Sequence, residues 1–219
     1  MEELKKLLTD PFDKVEKNDL KGFQDKCFEI AEDLFCNYCI NCNGEKYYFA
    51  EIEFYYYEGR NFNEKWNEVT YSRKCKAGEI FYHLSGMDIS FNSNLPQDFK
   101  KKKVGYGGGI LIRSVVEKDG NTEKIIVGPL TCVNKMLNAC HGKKMPFVDK
   151  AKAGRNVALL PTYRYLGKKD FDNIEKKESK DSNQGIDLKL AFFDDALQPK
   201  WNNARSSYYS NRLTKYKNK

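Results

Sequence analysis

The stretch Lys46 to Tyr57 constrains this chain more than any other. Its rings and β-branched residues suit a long strand, which Gly59 ends. Alternation places Glu51, Glu53, Tyr55 and Tyr57 on one face, with Ile52, Phe54 and Tyr56 on the other. A carboxylate in the middle of an aromatic strand needs a cation, a hydrogen-bond donor or a wet pocket. Two readings follow. Either the strand has one solvated face, or Glu53 is flanked by stacking rings, an arrangement suited to activating water beside a flat base.

The rest of the chain supports a sheet. Leu20, Phe23, Cys27, Ile30, Ala31, Leu34 and Phe35 recur at three-and-four spacing, which predicts an amphipathic helix over Leu20 to Cys39. Ile80 to Leu84 and Met87 to Phe91 read as short strands joined at Ser85-Gly86. A glycine-rich lead-in, Gly105 to Gly109, precedes a strand over Ile110 to Val116. Because a strand follows them, these glycines match neither a dinucleotide fingerprint nor a P-loop. A turn at Lys118 to Asn121 precedes the strand Lys124 to Val127, and Gly128-Pro129 opens a helix running to about Ala139. Val157 to Leu160 and Ile186 to Phe193 read as further strands.

The expected fold class is therefore mixed α/β (α+β), with a curved, mostly antiparallel sheet and flanking helices. One domain over 1–219 fits the length, with residues 1–19 as an N-terminal extension and the charged stretch 168–184 as a mobile loop.

Lys and Arg outnumber Asp and Glu by 38 to 31, and aromatics reach 14%. Cations neutralise phosphates and rings stack on bases, so the balance suits a nucleic-acid partner; solubility and core packing account for it equally simply. Basic residues gather at Lys100 to Lys103 and in the tail from Arg205 to Lys219. The chain opens with charges where a signal peptide requires an apolar stretch. No run approaches the roughly 18 apolar residues of a membrane span. The expectation is a cytoplasmic protein, nucleoid-associated or nuclear, a monomer that does not engage a membrane.

Cys36, Cys39 and Cys42 have the two-residue spacing of thiolate metal sites. No fourth ligand is evident, and Cys36 and Cys39 fall on the apolar side of the expected helix. Buried, reduced thiols are the expectation, with no metal and no cofactor.

Five stretches in order carry a family resemblance. Glu51-Ile52-Glu53-Phe54-Tyr55, with Gly59, is similar to an E-T-E-A-Y…G strand. Asn67 to Ser72 is similar to a loop that carries a pocket histidine, and Gly78 to Tyr82 with Gly86-Met87 to a G-x-L-Y…Y-G-M hairpin. Gly109 to Ser114 is similar to a V-L-I-R-A strand. Gly128 to Cys132 with Leu137 is similar to a G-P-x-x-L-C-x-x-L helix start. Together they resemble the alkyladenine (3-methyladenine) DNA glycosylase family over roughly Glu51 to Cys140.

That resemblance implies base flipping, with a glutamate activating water and rings holding the extruded base. Carried over, Glu53 is the general base, Tyr55 and Tyr82 are the stacking rings, and Asn92 lines the base edge. Arg113 is a backbone or pocket cation. Tyr71 stands where the family has its pocket histidine, and Ser85 where it has its wedge tyrosine. Met87 is the other wedge candidate. Asp88 follows where an aromatic is expected, and His83, also a pocket residue, has no counterpart. Lys101, Lys102 and Lys103 are expected to meet phosphates. The implied activity is hydrolysis of the N-glycosidic bond of a damaged or modified base. A small residue at Ser85 points to single-stranded or mismatched DNA. Two alternatives stay open: a non-catalytic nucleic-acid or nucleotide-binding protein on the same scaffold, and a hydrolase of free nucleosides or nucleotides.

Overall fold

The structure, a computed structural model, describes residues 1–15, 19–58, 75–93, 106–119, 122–163 and 190–197. Among these residues three α-helices, α1 (Glu2–Thr9), α2 (Leu20–Asn37) and α3 (Pro129–Cys140), pack with one antiparallel sheet of nine strands. The strands are β1 (Tyr38–Cys42), β2 (Glu45–Glu58), β3 (Ile80–His83), β4 (Gly86–Ser90), β5 (Tyr106–Asp119), β6 (Thr122–Val127), β7 (Phe147–Lys150), β8 (Leu159–Tyr163) and β9 (Leu190–Asp194). The fold is thus mixed α/β around a curled antiparallel sheet. Among the described residues no helix is long and apolar enough to cross a membrane.

The two long strands, β2 and β5, pair along nearly their whole length and form the spine. Each changes partner on its outer edge. β2 pairs first with β1 and then, from Glu51 to Glu53, with β9. β5 pairs with β4 through Gly109 to Leu111 and with β6 from Ser114 onward. Where the partners change, both spine strands are irregular. Between the Phe49↔Val115 and Glu51↔Ser114 pairs β2 carries Ala50 as an extra residue, and between Glu51↔Ser114 and Ile52↔Ile112 β5 carries Arg113. Such bulges bend a sheet and re-aim side chains.

The helices bury one face of the sheet. Leu4 and Leu8 of α1, the Phe23, Ile30 and Leu34 stripe of α2, and Cys132 and Met136 of α3 join Ile52, Phe54, Ile110 and Ile112 in one apolar cluster. Leu4 and Leu8, within the N-terminal extension, are thus part of the core. α2 ends at Asn37 and runs straight into β1, because Tyr38 is already extended. Cys39 accordingly sits on a strand, which corrects the helix expected to reach it. The opposite face carries a smaller apolar cluster, including Tyr48, Ala50, Val116 and Phe193. Next to it lie the polar residues that follow. Residues 168–184 lie outside the described residues.

Candidate functional site

The paired bulges put more side chains on one face than simple alternation allows. In β2, Phe49 and Ile52 point into the main core, so Ala50 and Glu51 both turn to the opposite face. In β5, Ile112 and Val115 point into the main core, and Arg113 and Ser114 turn away together. Glu51, Glu53, Arg113 and Ser114 thereby become neighbours, all of them buried.

One guanidinium holds two carboxylates. Arg113 donates from Nε to Glu51 Oε1 at 3.0 Å and from Nη1 to Glu53 Oε2 at 2.7 Å. Ser114 Oγ donates to Glu51 Oε2 at 3.2 Å, and Tyr55 OH to Glu53 Oε1 at 2.6 Å. Glu53 is fully enclosed, at 0% exposure. Burial of a carboxylate is tolerated where charge-assisted hydrogen bonds replace water, and both oxygens have one here.

From behind, α3 fixes Arg113. Its carbonyl accepts the Gly128 N–H at 2.9 Å and the Cys132 thiol at 3.6 Å. Gly128 has φ of 98°, a left-handed conformation that glycine adopts without Cβ strain. Pro129 follows at the first helical turn, where its missing N–H costs no helix hydrogen bond.

A second polar group sits two strands away on the same face. Glu53, Leu111 and Asp88 stand in register across β2, β5 and β4. At the usual strand spacing the Asp88 backbone is about 10 Å from that of Glu53. Asp88 is fully buried, and its Oδ1 lies 3.1 Å from His83 Nε2. His83 Nδ1 lies 3.0 Å from Ser85 Oγ and accepts the Ser85 backbone N–H at 3.3 Å. Phe81 pairs with Asp88 and so shares this face; its ring lies over that of His83, with centroids 6.3 Å apart at 25°.

The structure separates several residues that the sequence had put together. Tyr82 pairs with Met87, one position out of step with Phe81 and Asp88, so it lies on the helix-covered face. There burial pushes its phenol up to about 12. The ring that this hairpin contributes to the Glu53 face is Phe81, not Tyr82. Met87 is fully buried in the main core and cannot enter a duplex as a wedge. Arg113 is buried against two glutamates, so its guanidinium is not offered to a phosphate. Asn92 donates its backbone N–H to Leu8 at 3.0 Å and lines an open groove beside α1 with Lys5, Asp10 and Gly78. That is four residues beyond Asp88 and away from Glu53. The turn between β3 and β4 is Leu84-Ser85 rather than Ser85-Gly86, and its fully exposed residue is Leu84. Tyr71 and Lys101 to Lys103 lie outside the described residues.

Ser114 and the ion pair of Arg155 with the buried Asp194 leave no signal in the sequence. Asp194 also accepts the backbone N–H groups of Ala158 and Ala196, at 3.0 and 3.1 Å, so it ties β9 to the chain before β8. Nothing short of the bulge register would have singled out Ser114. The three clustered cysteines are divided between α2 and β1, and all seven thiols are free. Among the described residues no three His, Cys, Asp or Glu side chains gather as a metal site.

No family model matches the chain, and no curated protein or solved structure matches it either.

Proposed function

We propose that this protein hydrolyses the N-glycosidic bond of a modified or damaged base, with Glu53 as the group that activates water. The observation that carries the reading is the enclosure of Glu53 on a sheet face where Tyr55 and Arg113 fix both of its oxygens. Departure of a base leaves a sugar with oxocarbenium character, which is positive at C1′. Carboxylates held in place on a buried face stabilise that charge, because the dipoles and carboxylates are already oriented and need no reorganisation. The rings of Tyr55 and Phe81 belong to the same face and offer flat surfaces to a base.

Nucleic acid as the substrate rests on the clustered basic residues of the sequence and on the resemblance described above. The complete enclosure of Glu53 favours a second reading, a hydrolase of free nucleosides, since a small substrate demands less opening of the site. One experiment addresses both. Purified protein is incubated with single-stranded oligonucleotides bearing modified bases, and separately with the matching nucleosides, and released base is quantified. The expected outcome is release that Glu53→Gln lowers by at least about 100-fold, the scale of a lost general base. Release only from nucleosides selects the second reading. Release unaffected by Glu53→Gln, or none from any substrate, removes the hydrolase assignment.

A further inference from the structure

The hairpin between β3 and β4 contains an arrangement that base hydrolysis at Glu53 does not use. Ser85 Oγ, His83 and Asp88 form a continuous chain, with links of 3.0 and 3.1 Å. The hydrogen bonds decide the tautomer of the ring. The Ser85 backbone N–H and hydroxyl converge on the one lone pair of His83 Nδ1, at 3.3 and 3.0 Å, so proton uptake there releases the longer backbone bond. Nε2 then carries the hydrogen and donates it to the buried carboxylate of Asp88. The ring is seated by packing as well. A Cβ on Gly86 would lie 2.8 Å from Leu111 Cδ1, 2.9 Å from Pro129 Cβ and 3.6 Å from His83 Cε1. The first two distances are too short for a side chain and the third is ordinary contact, so the glycine lets Leu111 and Pro129 close together beside the ring, while Phe81 lies over it.

We infer that Ser85 is an activated nucleophile of a Ser85–His83–Asp88 relay, directed at ester-type electrophiles that reach the hairpin tip. The nucleophile, the base and the group that orients the base are present in the order this chemistry requires, with the two ring nitrogens exchanged relative to the usual serine hydrolase arrangement. A histidine that only capped the turn would need Nδ1 alone; a fully buried aspartate on the other nitrogen adds nothing to capping. Exposure follows the same division. Asp88 is enclosed, the His83 side chain is 16% exposed, and Ser85 is open to reagents. With a carboxylic ester, a bond forms from Oγ to the carbonyl carbon as the hydroxyl proton passes to Nδ1. The ester C–O bond then breaks and the leaving alkoxide takes that proton. Water repeats the exchange and frees Ser85. At the open tip the developing oxyanion meets solvent, so covalent capture is a better readout than turnover.

The test is labelling with a fluorophosphonate, in which an Oγ–P bond forms, fluoride leaves and the proton goes to Nδ1. Adduct formation is followed by intact mass and located by peptide mapping in the folded full chain. The expected result is one adduct on Ser85. It is absent in Ser85→Ala and slowed at least about 100-fold in His83→Gln, which keeps hydrogen-bonding capacity but loses the base. It is also slowed in Asp88→Asn. No adduct, an adduct on another residue, or equal rates in the parent and His83→Gln would overturn the inference. Loss of thermal stability in His83→Gln with no adduct in the parent would assign the histidine to turn capping. The readout needs no base release, so it stands or falls separately from the reaction at Glu53.

Discussion

Arg113 Nη1 lies 2.7 Å from Glu53 Oε2, and this contact exists because β5 carries Arg113 as an extra residue opposite β2. In an unbulged ladder, strict alternation would turn Ser114 or Arg113 to the core. The doubled bulge spares both and brings a guanidinium between two glutamates. Removing one partner of a buried pair leaves an uncompensated charge, at a cost of about 3–5 kcal/mol. Arg113→Met is therefore expected to lower unfolding free energy by that amount in urea titrations. Arg113→Lys should recover little, since one ammonium lacks the planar fork that reaches Glu51 and Glu53 together. A loss below about 1 kcal/mol, the range of exposed ion pairs, would mean that water reaches these carboxylates.

Gly108 sits opposite Tyr56, beside the strand that carries the site. A Cβ there would lie 2.1 Å from the Tyr55 carbonyl oxygen and 3.0 Å from Tyr56 Cα, both backbone atoms that no rotamer change can move. Gly108→Ala should therefore push β2 and β5 apart next to Tyr55. The expected outcome is destabilisation of more than about 1 kcal/mol, above the typical single-substitution effect, with faster amide exchange in β2 from Tyr55 onward. Unchanged exchange would show that the strands have slack at this point.

How much of this was legible in the sequence depends on what each residue's position required. The long strand, its charged face and the strand following the glycines were readable, because period-two alternation and Gly108's tight contact leave direct marks. The bulges left none, since an extra residue changes register without changing composition. Glu51 and Glu53 could be seen sharing a face, but not that Arg113 and Ser114 would join them. The hairpin turn falls one residue earlier than the sequence suggests, at Leu84-Ser85. Tyr82 entered as a stacking ring with the family resemblance, whereas the Phe81↔Asp88 pair puts Phe81 on the Glu53 face. The helix over Cys36 to Cys39 was overrun because Leu34, Phe35, Tyr38 and Cys39 keep helical spacing across a junction with no loop. His83 and Asp88 were each noticed, yet five residues apart on two strands they gave no sign of contact.

The cysteines yield a chemical prediction. Burial pushes the Cys39 thiol up to about 11 and the Cys132 thiol up to about 12, and raises the Cys27 thiol well above its ordinary value. Thiolate is the reacting species, so these three should be silent toward a thiol reagent at pH 8. Cys36 and Cys75 are half-buried and should react first, with Cys36 slowed because burial and the nearby Glu32 also raise its thiol. Mass spectrometry after brief alkylation should find adducts at those two positions, and at all seven cysteines after urea. Early modification of Cys132 would mean that α3 detaches from β5 in the native state.

Leu84 gives the last prediction, which rests on the base-hydrolysis reading. Extruding a base from a duplex costs a few kcal/mol, and a side chain that fills the vacated stack offsets part of it. Ser85 is too small for that and Met87 is buried in the core, which leaves Leu84, 100% exposed at the tip of the β3–β4 turn. A fully exposed leucine gains by leaving water, so a gap between stacked bases would be a favourable place for it. Leu84→Ala should then reduce base release from a fully paired duplex by roughly 10-fold or more, as about 1.4 kcal/mol of lost apolar burial would do. Release of the same base from single-stranded DNA should stay within about 2-fold, because there is no stack to fill. Leu84→Phe should preserve the duplex activity. Equal losses on both substrates would place Leu84 in general binding and would mean that the duplex is opened by another part of the chain.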